Sequence, residues 1–146
     1  MTPTAFAGGD IPKQTKTFMV DMNASTPDII KKSPYMTRSS FTTAQLDQSL
    51  GKWAAGQGVK SVFTMVTNYG PGINAEAEFT KGFKSAGGKI AGSVRTPVDN
   101  PDFASFIHRA KDSGADGIFI WTPGGAQPAA VGKALSEQGV SPRTTK

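Results

Sequence analysis

The chain has 146 residues, 37% of them hydrophobic and 18% charged, which suits one ordinary α/β domain and does not suggest disorder. It has no cysteine and a single histidine, His108, so disulfides, thiolate chemistry and multi-histidine metal sites are excluded together. The net charge of +5 comes from 16 scattered basic residues with no run longer than Lys31-Lys32, and this argues against a nucleic-acid footprint. No apolar run is long enough to cross a bilayer. Residues 1–16 carry Gly8-Gly9 and Pro12 where a signal peptide would have its apolar region, an absence that places the protein in no particular compartment.

Residues 5–14 predict a short helix weakened by Gly8-Gly9 and Pro12, and "KTFMVDM" predicts a short strand. "NASTPDIIKKSPY" then reads as a loop and "MTRSSFTTAQ" as extended polar chain. One strand and a poor helix cannot bury a core alone, so this segment reads as a piece of something larger.

From Thr43 the pattern becomes regular. Leu46, Leu50, Trp53 and Ala54 fall on one helical face, with Thr42 or Thr43 as cap and Gly56 and Gly58 at the end. "VKSVFTMV" predicts a buried strand. After a glycine turn, Ala75, Phe79, Phe83 and Ala86 line a second helix that closes at Gly87-Gly88. "KIAGSVRT" is the next strand. A third helix is expected to begin with Asn100 as cap, Pro101 at its first position and Asp102 on its dipole, to bury Phe103, Phe106, Ile107 and Ala110, and to end at Gly114. "DGIFIW" is a strand, and a fourth helix turns Val131, Ala134 and Leu135 inward before Gly139. This alternation predicts a three-layer α/β fold, a parallel sheet with helices on both faces. Ligands of such sheets bind beyond the carboxyl ends of the strands, here residues 67–72, 95–99 and 121–125.

The stretch "VFTMVTNYGPG" poses the central question, because nucleotide-binding loops and small-molecule pockets both begin this way. Gly70, Gly72 and Ala75 approach the dinucleotide spacing, and Arg95 at the end of the next strand would suit a 2′-phosphate. Against this, Tyr69 sets a bulky ring where the backbone would approach a pyrophosphate, and the ribose-binding acid is missing. No Walker pattern exists. On the second reading, Gly70 supplies a positive φ, Pro71 opens the helix, and Tyr69 projects into a cleft beside Trp121. Two aromatics at neighbouring strand ends, with free N–H groups at helix starts, then form a pocket for a small anionic or aromatic molecule. The alternative is that both rings are rim packing. Catalytic constellations are thin: Asp99, Asp102, Glu76 and Glu78 all have capping or dipole roles, and His108 reads as a boundary histidine. Asn23-Ala24-Ser25 fits a glycosylation sequon, a pattern frequent by chance.

The phrases "MNASTPDI", "SPYMTRSSFT", "NYGPGINAEAEFTKGFKSAGGKI", "PDFASFIHRAKDSGADGIFIW" and "ALSEQGV", in this order, resemble the type I solute-binding proteins of branched-chain-amino-acid-type ABC transporters. The resemblance implies a non-enzymatic, extracytoplasmic protein, periplasmic or at the cell surface. It implies no cofactor; the ligand is a small carboxylate-bearing solute, an amino acid, aromatic acid or amide, held between two lobes and handed to an ABC permease. It also implies that residues 1–40 are a remnant of the first lobe and the approach to a hinge near residues 39–43, and that residues 41–146 are a second lobe incomplete at its C-terminus. Carried over residue by residue, Ala24 (through its backbone), Ser25 and Thr26 match the first-lobe ligand loop, with Thr2 or Thr4 as the remnant of an earlier serine loop. The same hydroxyls would otherwise cap a turn at Pro27. Tyr69 matches the second-lobe tyrosine. Trp121 and Pro123 lie in a cleft-facing loop that departs from the family pattern and favours a flat ligand. A sensor domain of the same fold and an NAD(P)-binding enzyme domain are the rival readings.

Overall fold

The computed structural model describes residues 2–99 and 101–141. Two short helices, α1 (Thr2–Gly8) and α2 (Asp10–Thr15), lead into strand β1 (Met19–Asp21). A 3-10 helix, Pro27–Lys32, separates β1 from β2 (Met36–Arg38). The two strands pair in parallel, with Asp21 beside Arg38, and Ala5, Ala24, Ile29 and Met36 form a small buried cluster around them. The expectation of a single strand here is corrected: "MTR" opens a stretch that is polar beyond Met36, yet its backbone completes a ladder, and a three-residue strand leaves no alternation to read.

The remainder follows the predicted order: α3 (Thr43–Gly56), β3 (Ser61–Thr67), α4 (Gly70–Ser85), β4 (Lys89–Thr96), α5 (Phe103–Asp112), β5 (Gly117–Trp121) and α6 (Gln127–Glu137). The central strand β3 pairs in parallel with β4 on one side and β5 on the other. Its side chains alternate between two cores. Val62 and Val66 pack with Ala75, Phe79 and Phe83 of α4 and with Phe119, whereas Phe63 and Met65 pack with Phe103 and Ile107 of α5 and Val131 and Ala134 of α6. Helices therefore cover both faces, as expected for a parallel sheet. The rings of Phe79 and Phe119 stack at 4.1 Å.

Three local expectations are corrected. On α3, Leu46, Leu50 and Trp53 do not face the core; they are 50%, 42% and 61% exposed, and the inward positions are Thr43, Asp47 and Gly51. The reason is a close approach of two backbones. A Cβ on Gly51 would lie 2.5 Å from the Phe79 carbonyl oxygen, and one on Gly82 would lie 2.2 Å from the Gln48 carbonyl oxygen. Large apolar side chains cannot enter that seam, so the helix presents its small and polar face instead. Leu50 and Trp53 line an apolar groove of about 290 Å³ with Val59, Val62 and Phe119. The second correction is the start of α5. Asp102 is its N-cap, with the carboxylate accepting from Ala104 N–H at 3.0 Å, and Pro101 precedes the helix. Asn100, the expected cap, lies outside the described residues. Third, Ala86 is the exposed C-cap of α4 rather than part of its buried face. The cap of α3 is as expected, with Thr42 and Gln45 forming a reciprocal capping box. Among the described residues no helix is long and apolar enough to cross a membrane.

Candidate functional site

The site lies where the loop after β1 meets the carboxyl ends of β3 and β5. One wall is the loop Asn23-Ala24-Ser25, and the other is Tyr69, Pro71, Trp121, Thr122, Pro123 and Gly124, with Thr2 at the margin. Together they enclose a cleft of about 170 Å³. Five of the six expected ligand residues, Ala24, Ser25, Tyr69, Trp121 and Pro123, meet there. The sixth, Thr26, is buried beside the cleft instead of lining it; its hydroxyl lies 3.2 Å from that of Thr2, and its carbonyl accepts from Arg38. Thr4 lines a separate cavity behind the loop.

The aromatic wall is built from strand ends. Tyr69 follows β3 in extended conformation and is the N-cap residue of α4, its carbonyl accepting from Ile73 N–H at 3.0 Å. The rings of Tyr69 and Trp121 lie 5.5 Å apart at 50° and brace each other at the mouth of the sheet. Burial pushes the Tyr69 phenol above its ordinary value, so the hydroxyl is a neutral hydrogen-bonding group at physiological pH.

The glycines of the turn act differently from the expectation. Gly70 has no positive φ, and open space surrounds its would-be Cβ; it is simply the first residue of α4. Gly72 is the constrained one, because a Cβ there would stand 2.1 Å from the Thr67 carbonyl oxygen. The close approach that a pyrophosphate would need is thus made by the chain's own backbone. Arg95, the residue suited to a 2′-phosphate, is joined to Glu76 through Nε at 3.2 Å and Nη2 at 3.0 Å, and Glu76 also accepts from the buried Thr64 hydroxyl at 2.8 Å. Glu76 is therefore an ion-pair and hydrogen-bond partner as well as a residue of the first turns of α4. Beneath the cleft, the Thr67 hydroxyl meets those of Thr96 and the Gln127 side chain, and Gln127 donates to the Val98 carbonyl at 2.6 Å, tying β3, β4 and α6 together.

The polar wall depends on residues that sequence patterns did not single out. Asp21 Oδ1 accepts from Asn23 N–H at 3.2 Å and Ala24 N–H at 2.8 Å. Arg38 Nη2 donates to the Thr26 carbonyl at 2.7 Å. The Ser25 carbonyl accepts from Thr43 N–H at 2.9 Å, which joins the loop to the first turn of α3. Pro71, Thr122 and Gly124 fall within the strand-end segments 67–72 and 121–125 expected to carry ligand, although none was named as a ligand residue, and Asn23 joins the lining from the loop after β1. Among the described residues no group of three or more histidines and acids is placed to hold a metal ion. The arrangement offers one flat aromatic side and one side of small and hydroxylated residues.

The sequence profile described as periplasmic binding protein matches residues 1–146. Leu/Ile/Val-binding protein homolog 6 of Brucella melitensis biotype 1 is 42% identical over 139 residues, covering 95% of this chain and 36% of that protein. An ABC transporter solute-binding protein from R. palustris, solved in complex with 4-hydroxybenzoate, superimposes with a TM-score of 0.94 at 40% identity, covering 100% of this chain and 40% of that one. A second, from Rhodopseudomonas palustris BisB5 in complex with 3,4-dihydroxybenzoic acid, gives 0.90 at 38% identity, covering 99% of this chain and 40% of that one. The chain spans 36% of the length of the curated relatives it matches.

Proposed function

The chain belongs to the periplasmic binding protein family, and we propose that it contributes the solute cleft of an ABC uptake transporter's periplasmic binding component, with an aromatic carboxylate of the hydroxybenzoate class as ligand. The observation that carries this reading is the Tyr69–Trp121 pair facing the Asn23-Ala24-Ser25 loop across a narrow cleft. A benzoate ring fits against the aromatic side, and its carboxylate is suited to the Ser25 hydroxyl, the Asn23 and Ala24 amides being held by Asp21. Two similar proteins of known structure were solved with such ligands, 4-hydroxybenzoate and 3,4-dihydroxybenzoic acid. We assign Ala24, Ser25, Tyr69, Trp121 and Pro123 to direct contact with the solute and Thr26 to support of the loop. On this reading residues 1–40 belong to the first lobe and residues 41–146 to the second, hinge motion closes the cleft, and the solute leaves unchanged for the permease.

A branched-chain amino acid is the second reading, favoured by the Leu/Ile/Val-binding homologues. Calorimetric titration of the full-length protein with 4-hydroxybenzoate, benzoate, leucine and NADP separates the readings. Binding of 4-hydroxybenzoate with loss of about tenfold or more in Tyr69→Ala supports the aromatic reading. Binding of leucine alone transfers the assignment to the amino-acid class, and binding of NADP with Tyr69→Ala unimpaired returns the glycine turn to a cofactor role.

A further inference from the structure

We infer that Arg38 and Asp21 are positioning residues for solute binding, a buried ion pair that fixes the backbone of the ligand loop; the inference rests on the cleft being the solute site. The two residues end β2 and β1 and are register partners, so parallel pairing of these short strands sets them side by side. Their side chains are only 6% and 5% exposed, and Arg38 Nη2 stands 3.5 Å from Asp21 Oδ2. What distinguishes the pair is where its short hydrogen bonds go. Asp21 holds the amides of Asn23 and Ala24, and Arg38 holds the carbonyl of Thr26, so both ends of the loop are clamped from behind.

Stability alone is a poor reason for this arrangement. Two buried charges are costly to desolvate, and an apolar pair of similar volume packs as well or better. The cost is visible here, since among the described residues Arg38 Nε and Nη1 and Asp21 Oδ2 have no hydrogen-bond partner. Apolar side chains, however, cannot bond three main-chain groups of an irregular loop. Charge-assisted hydrogen bonds in a low-dielectric setting do so strongly and directionally. Ala24 and Ser25 therefore meet the cleft with their backbone already set, and a solute need not order them on binding.

The test compares Arg38→Met, Arg38→Lys and Asp21→Asn with Ile29→Val, which trims the buried cluster of the same small sheet without removing a hydrogen bond. Solute affinity of the full-length proteins is measured by titration, and amide exchange at Asn23 and Ala24 by NMR without solute. The expected result is affinity weakened about tenfold or more in Arg38→Met, less in Arg38→Lys and Asp21→Asn, and unchanged in Ile29→Val. Amide exchange at Asn23 and Ala24 should accelerate in Arg38→Met and Asp21→Asn beyond Ile29→Val. Affinity in Arg38→Met equal to wild type, or an equal loss in Ile29→Val, overturns the inference. If the wild type binds leucine and no benzoate, the solute assignment fails while the affinity ratio, now read with leucine, still decides the positioning role. If it binds none of the panel, the amide exchange decides, and equal rates in Arg38→Met, Asp21→Asn and Ile29→Val overturn it.

Discussion

The small sheet of β1 and β2 gathers four buried apolar residues, Ala5, Ala24, Ile29 and Met36, and beside them buries Asp21, Thr26 and Ser33 together with the side chain of Arg38. The three-stranded sheet is held by two apolar clusters on opposite faces, with aromatic residues in each. In the first region geometry comes from polar groups bonded to backbone; in the second it comes from packing, which is non-directional and tolerant of exchange among similar volumes. The difference matches the roles proposed for the two walls of the cleft. A loop must be held by directed bonds, whereas aromatic rings at strand ends inherit their placement from the sheet.

The contrast breaks first at Gly72, a position in the packed region that tolerates no side chain. Gly72→Ala drives a methyl group into the Thr67 carbonyl, and we expect about 4 kcal/mol or more of destabilisation with loss of solute binding, measured by urea unfolding and titration. Phe83→Ala empties a fully buried ring site and should cost about 3 kcal/mol, lowering the melting temperature while the loop amides stay protected. Equal deprotection of Asn23 and Ala24 in that variant would show that the two sheets unfold as one.

Asp47 sharpens the comparison, because it is a buried carboxyl inside the larger region. Burial, and secondarily the charge of Glu78, push it up from 3.8 to about 6. The folded carboxyl thus keeps its proton to a higher pH than the unfolded one. The contribution of Asp47 to stability is therefore greatest at the acid end, falls as pH rises from 3.8 to about 6, and stays lower above that. Asp47→Asn should remove this slope and raise stability by about 1 kcal/mol at neutral pH, read from melting temperatures between about pH 4 and about pH 8. The smallest effect belongs to the surface of α5, where His108 and Asp112 meet at 2.8 Å in solvent; His108→Ala should change stability by less than about 0.5 kcal/mol.

The order of strands and helices from Thr43 onward was legible in sequence, since alternation and helical spacing there report real burial on β3, α4, α5 and α6. So were the places of Tyr69 just after one strand and Trp121 at the end of another, since both adjoin apolar runs read as strands of a covered sheet. The "NAST" loop was reached by family resemblance, and that resemblance agrees with the family to which the chain belongs. Sequence by itself thus determined the fold class, the family and the strand ends that carry Tyr69 and Trp121. Tertiary structure alone decided which face of α3 turns inward, that Gly72 rather than Gly70 is the constrained glycine, that Thr26 is turned into the interior beside Thr2, and that Arg38 reaches back to clamp the loop. The physical reason is shared by all four. Periodicity records how polar each side chain is, whereas these features depend on how closely two backbones approach and on which peptide groups lack a partner until distant segments meet.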